Sequence, residues 1–162
     1  QKNFHALVQA FNLLEDKKIK LFLVGAINKN FADYKLVDDI ENNPNIKFMG
    51  RVDDDELIQL YSNALCFVYP SLYEGFGIPP LEAQACGCPC VVSNAASLPE
   101  VCADSAVYCD PFVVSDMAEK IQMVINDKAL RSELRAKGFA NIKRFSWENS
   151  AKRIIQIVEE MK

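Results

Sequence analysis

Apolar side chains recur along this chain in two rhythms, and the rhythms alternate. Phe4, Leu7, Val8, Phe11 and Leu14 are spaced by three and four residues, which puts them on one face of a helix. "IKLFLVG" (19–25) is a short, mostly apolar run ended by glycine and predicts a buried strand. "FADYKLVDDIENN" (31–43) predicts a polar helix that Asn43-Pro44 stops, and "IKFMG" (46–50) the next strand. Asp53, Asp54 and Asp55 open another helix, where carboxylates suit its free amides and positive dipole end. "LCFVYPS" (65–71) shows no polar alternation, as expected of a strand covered on both faces. "CVVS" (90–93) and "AVYC" (106–109) predict two further strands around a short turn or helix at "SLPEVCAD". From Ser115 onward the pattern is helical. One helix runs to about Asn126, a second from about Lys128 to Lys143, and a third follows a Ser146 cap.

Helix and strand alternating over short connections predict an α/β fold with a parallel sheet covered by helices on both faces. The expectation is a doubly wound, Rossmann-like domain over residues 1–162. Such a fold begins with a strand and this chain begins with a helix, so the pattern predicts a fragment whose central first strand is missing. Composition narrows the class. Of 162 residues, 50% are hydrophobic and 25% charged, which fits a globular protein rather than a disordered one. The formal net charge of −4, with no clustering of basic residues, argues against a nucleic-acid surface. No apolar run reaches the roughly 18 residues of a membrane span. "QKNFHALVQAFNLLEDKK" is too periodic and polar for a signal peptide, so a cytoplasmic, reducing setting with six free thiols is expected.

The candidate chemistry lies in "YEGFGIPPLEAQACGCPC", Tyr73 to Cys90, where seven residues separate two glutamates. In a doubly wound sheet ligands bind outside the carboxyl ends of the strands, and the strand at 65–71 delivers this loop there. Gly75 and Gly77, lacking Cβ, let backbone amides approach a ligand and adopt positive φ. Pro80 suits the first position of a helix "LEAQACG", whose free amides and dipole then face the loop as an anion site. Small Ala83, Ala85 and Gly87 would pack that helix close to the sheet. Glu82, in its first turn, can accept hydrogen bonds from the vicinal hydroxyls of a ribose. Glu74, ahead of the glycines, suits a hydroxyl-rich sugar. A plainer account stands beside this one. Glutamate in a first helical turn is stabilising by ~0.3–1 kcal/mol without any ligand, Glu74 can be simply solvated, and glycines at a strand–helix turn need no partner.

Other candidates carry less. Cys86, Cys88 and Cys90 alternate across a helix end and a strand start, so they do not converge as a chelate, and a C-x-x-C pair is lacking. They read as small buried thiols, with no metal site. His5 is the single histidine and has no nucleophilic partner nearby in sequence, which points to a helix-surface residue rather than a triad. Ile154, Ile155, Ile157, Val158 and Met161 in the last helix are either core or a face for another domain.

"PSLYEGFGIPPLEAQACGCPCVVSNAASLPEV" resembles the donor-binding motif of the family 4 retaining glycosyltransferases, whose GT-B fold has two Rossmann-like halves. The chain resembles the C-terminal, nucleotide-sugar-binding half, and bacterial mannosyltransferases within it. "KNFHALVQAFNLL", "LFLVG", "IKFMGRVDDDELIQLYSNA", "AVYCDP" and "FSWENSAKRI" follow in the family's order. The resemblance implies that Glu74 contacts sugar hydroxyls near the reacting carbon. By the same likeness Gly75, Phe76, Gly77 and Ile78 meet the sugar and diphosphate, and Glu82 holds the ribose. Lys2 neutralises the leaving diphosphate together with an arginine a few residues upstream. Phe48, Gly50 and Val52 pack the base edge, and Gly25 lies beside the same cleft.

That arginine, the first strand and the acceptor-binding domain are expected before Gln1. The implied reaction is transfer of a hexose from a nucleotide diphosphate sugar, with GDP-mannose as the favoured donor and substrate, and without a cofactor. The acceptor would be a glycan or lipid-linked saccharide, with peripheral membrane contact. Retention here implies front-face substitution, not a covalent enzyme intermediate of the glycosidase kind. The fragment alone is expected not to transfer sugar, though a nucleotide could still bind. Two alternatives remain at this level: a non-catalytic nucleotide-binding module, or a nucleotide-sugar epimerase of the same fold. Dinucleotide oxidoreduction is disfavoured, because no G-x-G-x-x-G follows a strand.

Overall fold

A computed structural model describes residues 2–25 and 34–161. Helix α1 (Phe4–Asn12) is followed by β1 (Leu21–Val24), α2 (Tyr34–Glu41), β2 (Ile46–Gly50) and α3 (Asp54–Asn63). Then come β3 (Phe67–Tyr69), α4 (Ile78–Ala85), β4 (Cys90–Ser93), α5 (Leu98–Cys102) and β5 (Ala106–Cys109). Helices α6 (Val114–Asn126), α7 (Lys128–Asn141) and α8 (Trp147–Glu160) complete the chain, with a 3-10 turn at Ile142–Arg144. The start expected for α2, residues 31–33, lies outside the described residues.

Local chemistry accounts for several boundaries. Asp53 accepts a hydrogen bond from the Glu56 amide at 2.8 Å, so the acidic cluster caps α3 as its sequence suggested. Asp127 and Ser146 do the same for α7 and α8. At α1 the preceding Asn3 is left-handed, with φ 54°, a conformation asparagine tolerates. Its side-chain amide donates to the Pro111 carbonyl at 2.8 Å, which ties the start of α1 to the loop after β5.

Among the described residues all strand pairs are parallel, but they form two sheets, β1-β2 and β3-β4-β5, rather than one. Between the two sheets runs a groove of about 820 Å³, lined by the whole of β1 and β3 and floored by apolar residues of α1, α3 and α6. The core nevertheless joins the sheets. Leu23 and Ile46 pack with Val91 of β4, Cys109 of β5 and the buried faces of α1 and α6. On the opposite face Cys90, Val92 and Tyr69 pack with Tyr61, Ala83, Leu98 and Val101 of α3, α4 and α5. Consecutive residues of β4 thus enter opposite cores, as the period of two requires of a strand covered on both sides. Each buried Leu, Ile or Val among them contributes about 1.5–3 kcal/mol. Helix α8 buries nothing: its apolar face, with Ile154, Ile155 and Val158, is exposed. Among the described residues no helix is long and apolar enough to cross a membrane.

All six cysteines are free thiols, and Cys88, Cys90, Cys102 and Cys109 are buried in these cores. Burial pushes the thiols of Cys88 and Cys109 up to about 12 and that of Cys102 to about 11, from an ordinary 9.0. Burial raises Cys90 well above that value too. On unfolding these thiols ionise near 9.0, while in the fold they stay protonated until about 11. The unfolded chain therefore sheds protons first as pH rises, and their contribution, complete below pH 9.0, is lost through that window. The urea midpoint is expected to fall between those two pH values. In native protein at pH 8, iodoacetamide should leave these four thiols unmodified and label them only after denaturation. Labelling of any of them at the rate of a free thiol would contradict the packing.

Candidate functional site

Of the residues singled out by sequence, Lys2, Gly25 and Glu82 line the groove between the sheets, and Tyr69, Pro70 and Pro79 line it with them. Gly25 donates its amide to the Gly50 carbonyl at 2.8 Å, so the ends of β1 and β2 are held together, both glycines at positive φ. Phe48 and Val52 sit on and just beyond β2; Phe48 is exposed and neither lines the groove. His5 is half-buried on α1.

The loop from Pro70 to Gly77 has no regular structure and is held instead by hydroxyls. Tyr69 Oη donates to Glu74 Oε1 at 2.6 Å, and Ser71 Oγ donates to the same oxygen at 2.7 Å. Ser93 of β4 donates to the Ser71 carbonyl. Ser97 Oγ lies 2.7 Å from the Phe76 carbonyl and 3.0 Å from that of Glu74, bridging both ends of the glycine turn. Phe76 meets Phe145 edge to face, with ring centroids 5.6 Å apart. Burial first, then the hydrogen bond to Glu74, raises the Tyr69 hydroxyl well above its ordinary value, so it is a proton donor to the carboxylate at any ordinary pH.

Helix α4 and the turn before it correct four expectations. It starts at Ile78, with Gly77 as cap, so Pro79 and Pro80 are its second and third residues and Pro80 is not its first. Neither proline has an N–H, so the free amides at this end are those of Gly77 and Ile78, joined by Gly75 and Phe76 of the loop. Glu82 is the fifth residue and falls in the second turn; there is no acidic residue in the first. The dipole effect fades beyond the first turn, which weakens the ligand-free account of Glu82. Third, of the two loop glycines only Gly77 has a positive φ, 107°, and a Cβ there would also meet Leu98 Cδ2 at 2.6 Å. Gly75 has no positive φ, and a Cβ there would meet nothing within 4 Å. Ala85 is exposed, and Gln84 takes the packing position beside Ala83.

Sequence reasoning missed the hydroxyl set. A usable signal was present: Tyr69 and Ser71 share one strand face at a spacing of two, just before Glu74, in a run otherwise apolar. It also missed Gln84, whose buried amide donates to Ser105 Oγ and accepts from Asn141 Nδ2, both at 2.8 Å. Nothing near Gln84 in sequence names those partners. Among the described residues no group of three or more His, Cys, Asp or Glu could hold a metal ion.

Known proteins share the sequence and the fold. The family described as "Glycosyl transferases group 1" matches residues 1–141. The chain is 39% identical over 153 residues to O-antigen chain mannosyltransferase B of Escherichia coli, covering 92% of this chain and 40% of that protein. It is 35% identical over 162 residues to the serotype-specific mannosyltransferase WbdA of Escherichia coli, covering 93% of this chain and 19% of that one. Among solved structures, sucrose-phosphate synthase from Thermosynechococcus elongatus superposes with a TM-score of 0.80 at 26% identity, over 99% of this chain and 42% of that chain. HepE of Anabaena, solved with UDP and glucose, superposes with a TM-score of 0.85 at 23% identity, over 98% and 45%. The fold is therefore shared with these structures, and the chain spans less than half the length of these relatives.

The two loop glycines should respond differently to the same change. Gly77→Ala forces a strained φ and a clash with buried Leu98, and is expected to cost about 1–3 kcal/mol in urea unfolding. Gly75→Ala should stay within about 0.5 kcal/mol of the parent. Equal effects would mean that the turn is not held as described.

Proposed function

We propose, from the premise that the chain belongs to the group 1 glycosyl transferases, that it is the donor-binding part of a retaining glycosyltransferase. The whole enzyme would transfer a hexose, mannose in the first instance, from a GDP-sugar to a glycan or lipid-linked acceptor. One observation carries the reading. A glutamate fixed by two hydroxyls precedes a glycine turn whose free amides open α4, and Glu82 and Lys2 line the groove beside it. The mannosyltransferase relatives support the choice of sugar.

In this reading Glu74 accepts hydrogen bonds from the transferred sugar, and the amides of Gly75, Phe76, Gly77 and Ile78 face the sugar and diphosphate. Such an array of backbone donors stabilises the charge that develops as the diphosphate departs. Lys2 adds positive charge from the start of α1. Glu82 takes the ribose hydroxyls, and Phe48, Gly50 and Val52 pack the base beside Gly25. The acceptor oxygen bonds to the anomeric carbon on the face from which the diphosphate leaves, and its proton passes to a diphosphate oxygen. The protein contributes placement and electrostatics rather than a nucleophile. Acceptor recognition and an arginine partner for Lys2 belong to the rest of the enzyme, against which the exposed apolar face of α8 would pack. A cytoplasmic enzyme in peripheral contact with the membrane that carries its acceptor completes the reading.

Calorimetric titration of the full-length enzyme with GDP, UDP and ADP, alone and as sugar conjugates, tests the donor class. One nucleotide should bind selectively, and Glu82→Ala should weaken it by about 10-fold or more, the worth of hydrogen bonds to a charged acceptor. Unchanged affinity in that variant would remove the ribose role. Glu74→Ala should lower kcat by at least 100-fold while leaving the dissociation constant of the free nucleotide within about 3-fold. Parallel losses in both would defeat the assignment of Glu74 to the sugar.

A further inference from the structure

Glu74 is held through one of its two carboxylate oxygens. Two hydroxyl donors, Tyr69 Oη at 2.6 Å and Ser71 Oγ at 2.7 Å, converge on one oxygen, Oε1. Each donor is itself immobilised by the sheet. The Tyr69 ring is buried and stacked on Phe67 at 5.7 Å, and Ser71, 1% exposed, has its carbonyl bound by Ser93 of β4. Neither donor carries charge. A guanidinium partner would engage both oxygens and offset the negative charge, whereas two neutral hydroxyls fix the direction of the carboxylate and leave its charge in place.

We propose that Tyr69 and Ser71 are positioning residues that fix the orientation of Glu74 so that Oε2 is aimed at one hydroxyl of the transferred sugar. They thereby decide which sugar is turned over. This inference rests on the assignment of Glu74 to the sugar and deepens it: the specificity of the site lies partly in side chains that never touch the donor. The physical basis is the narrow angular preference of hydrogen bonds at a carboxyl oxygen. A carboxylate free to rotate would accept equally from neighbouring hydroxyls of different hexoses, and would lose the geometry that the reacting sugar needs.

The test uses the full-length enzyme with GDP-mannose, its monodeoxy-mannose analogues and free GDP. Tyr69→Phe and Ser71→Ala are each expected to lower kcat about 10-fold, and the double variant to approach Glu74→Ala, with GDP affinity within about 3-fold of the parent. The second readout is coupling. With the donor that lacks the contacted hydroxyl, the penalty of Tyr69→Phe should disappear, because the bond it aims no longer exists. A purely structural role would penalise all donors equally and weaken GDP as much as turnover, and that result overturns the proposal. Parent-like turnover in both single variants, with Glu74→Ala impaired, overturns it while sparing the role of Glu74. Parent-like turnover in Glu74→Ala itself overturns both. Should Tyr69→Phe fail to fold, Ser71→Ala and the deoxy-donor series give the same decision.

Discussion

The position of the loop depends on one buried amide pair. Gln84 on α4 and Asn141 at the end of α7 are both enclosed, and they satisfy each other: Asn141 donates to Gln84 Oε1 at 2.8 Å and to the Val101 carbonyl at 3.0 Å. Gln84 in turn donates to Ser105, and Arg144 donates to Asn141 Oδ1 at 2.7 Å. Leaving one such group unpaired would cost about 1–3 kcal/mol, so α4 cannot slide on α7 without breaking the set. Gly138 makes the approach close, since a Cβ there would crowd Gln84 Cγ at 3.1 Å. With α4 fixed from behind, Gly77 at its other end is fixed too.

From the opposite side the loop is pinned by α5 and the sheet. Leu98 closes against Gly77, and Ser97 holds the carbonyls of Glu74 and Phe76. Tyr69 and Ser71, delivered by β3, hold the carboxylate of Glu74. What remains open is the ligand side: Gly75 has empty space over its Cα, and Phe76 and Ile78 are exposed. Rigid support below and free amides above is the division of labour expected of a preorganised anion site.

The strands explain how these parts meet. Every described strand runs in the same sense as its hydrogen-bonded neighbour, and Gly25 after β1, Pro70 after β3 and Lys2 ahead of α1 all line the groove. β1 and β3 both line the groove, and the apolar core beneath it, from Leu23 to Val91, holds the two sheets as one body. The order of elements was legible in advance because each carries its own period and its own cap. Asp53 and Ser146 are caps in sequence and in structure for the same reason, a side-chain oxygen one turn ahead of free amides.

Where sequence and structure part, the cause is always a contact distant along the chain. Two adjacent prolines can occupy any of the first helical positions, so only packing decided that α4 starts at Ile78 and that Glu82 falls in its second turn. Which loop glycine is conformationally required was decided by Leu98, some twenty residues away. The exchange of Ala85 for Gln84 at the packed face was decided by Asn141, on another helix. The sequence by itself determined the alternation of strand and helix, the parallel sense of the strands and the loop that bears the glutamates, because periodicity and capping are local. Only the tertiary structure decided the division into two sheets and the aim of Glu74, because edges, hydroxyl partners and buried amides are chosen by residues that local propensity never compares.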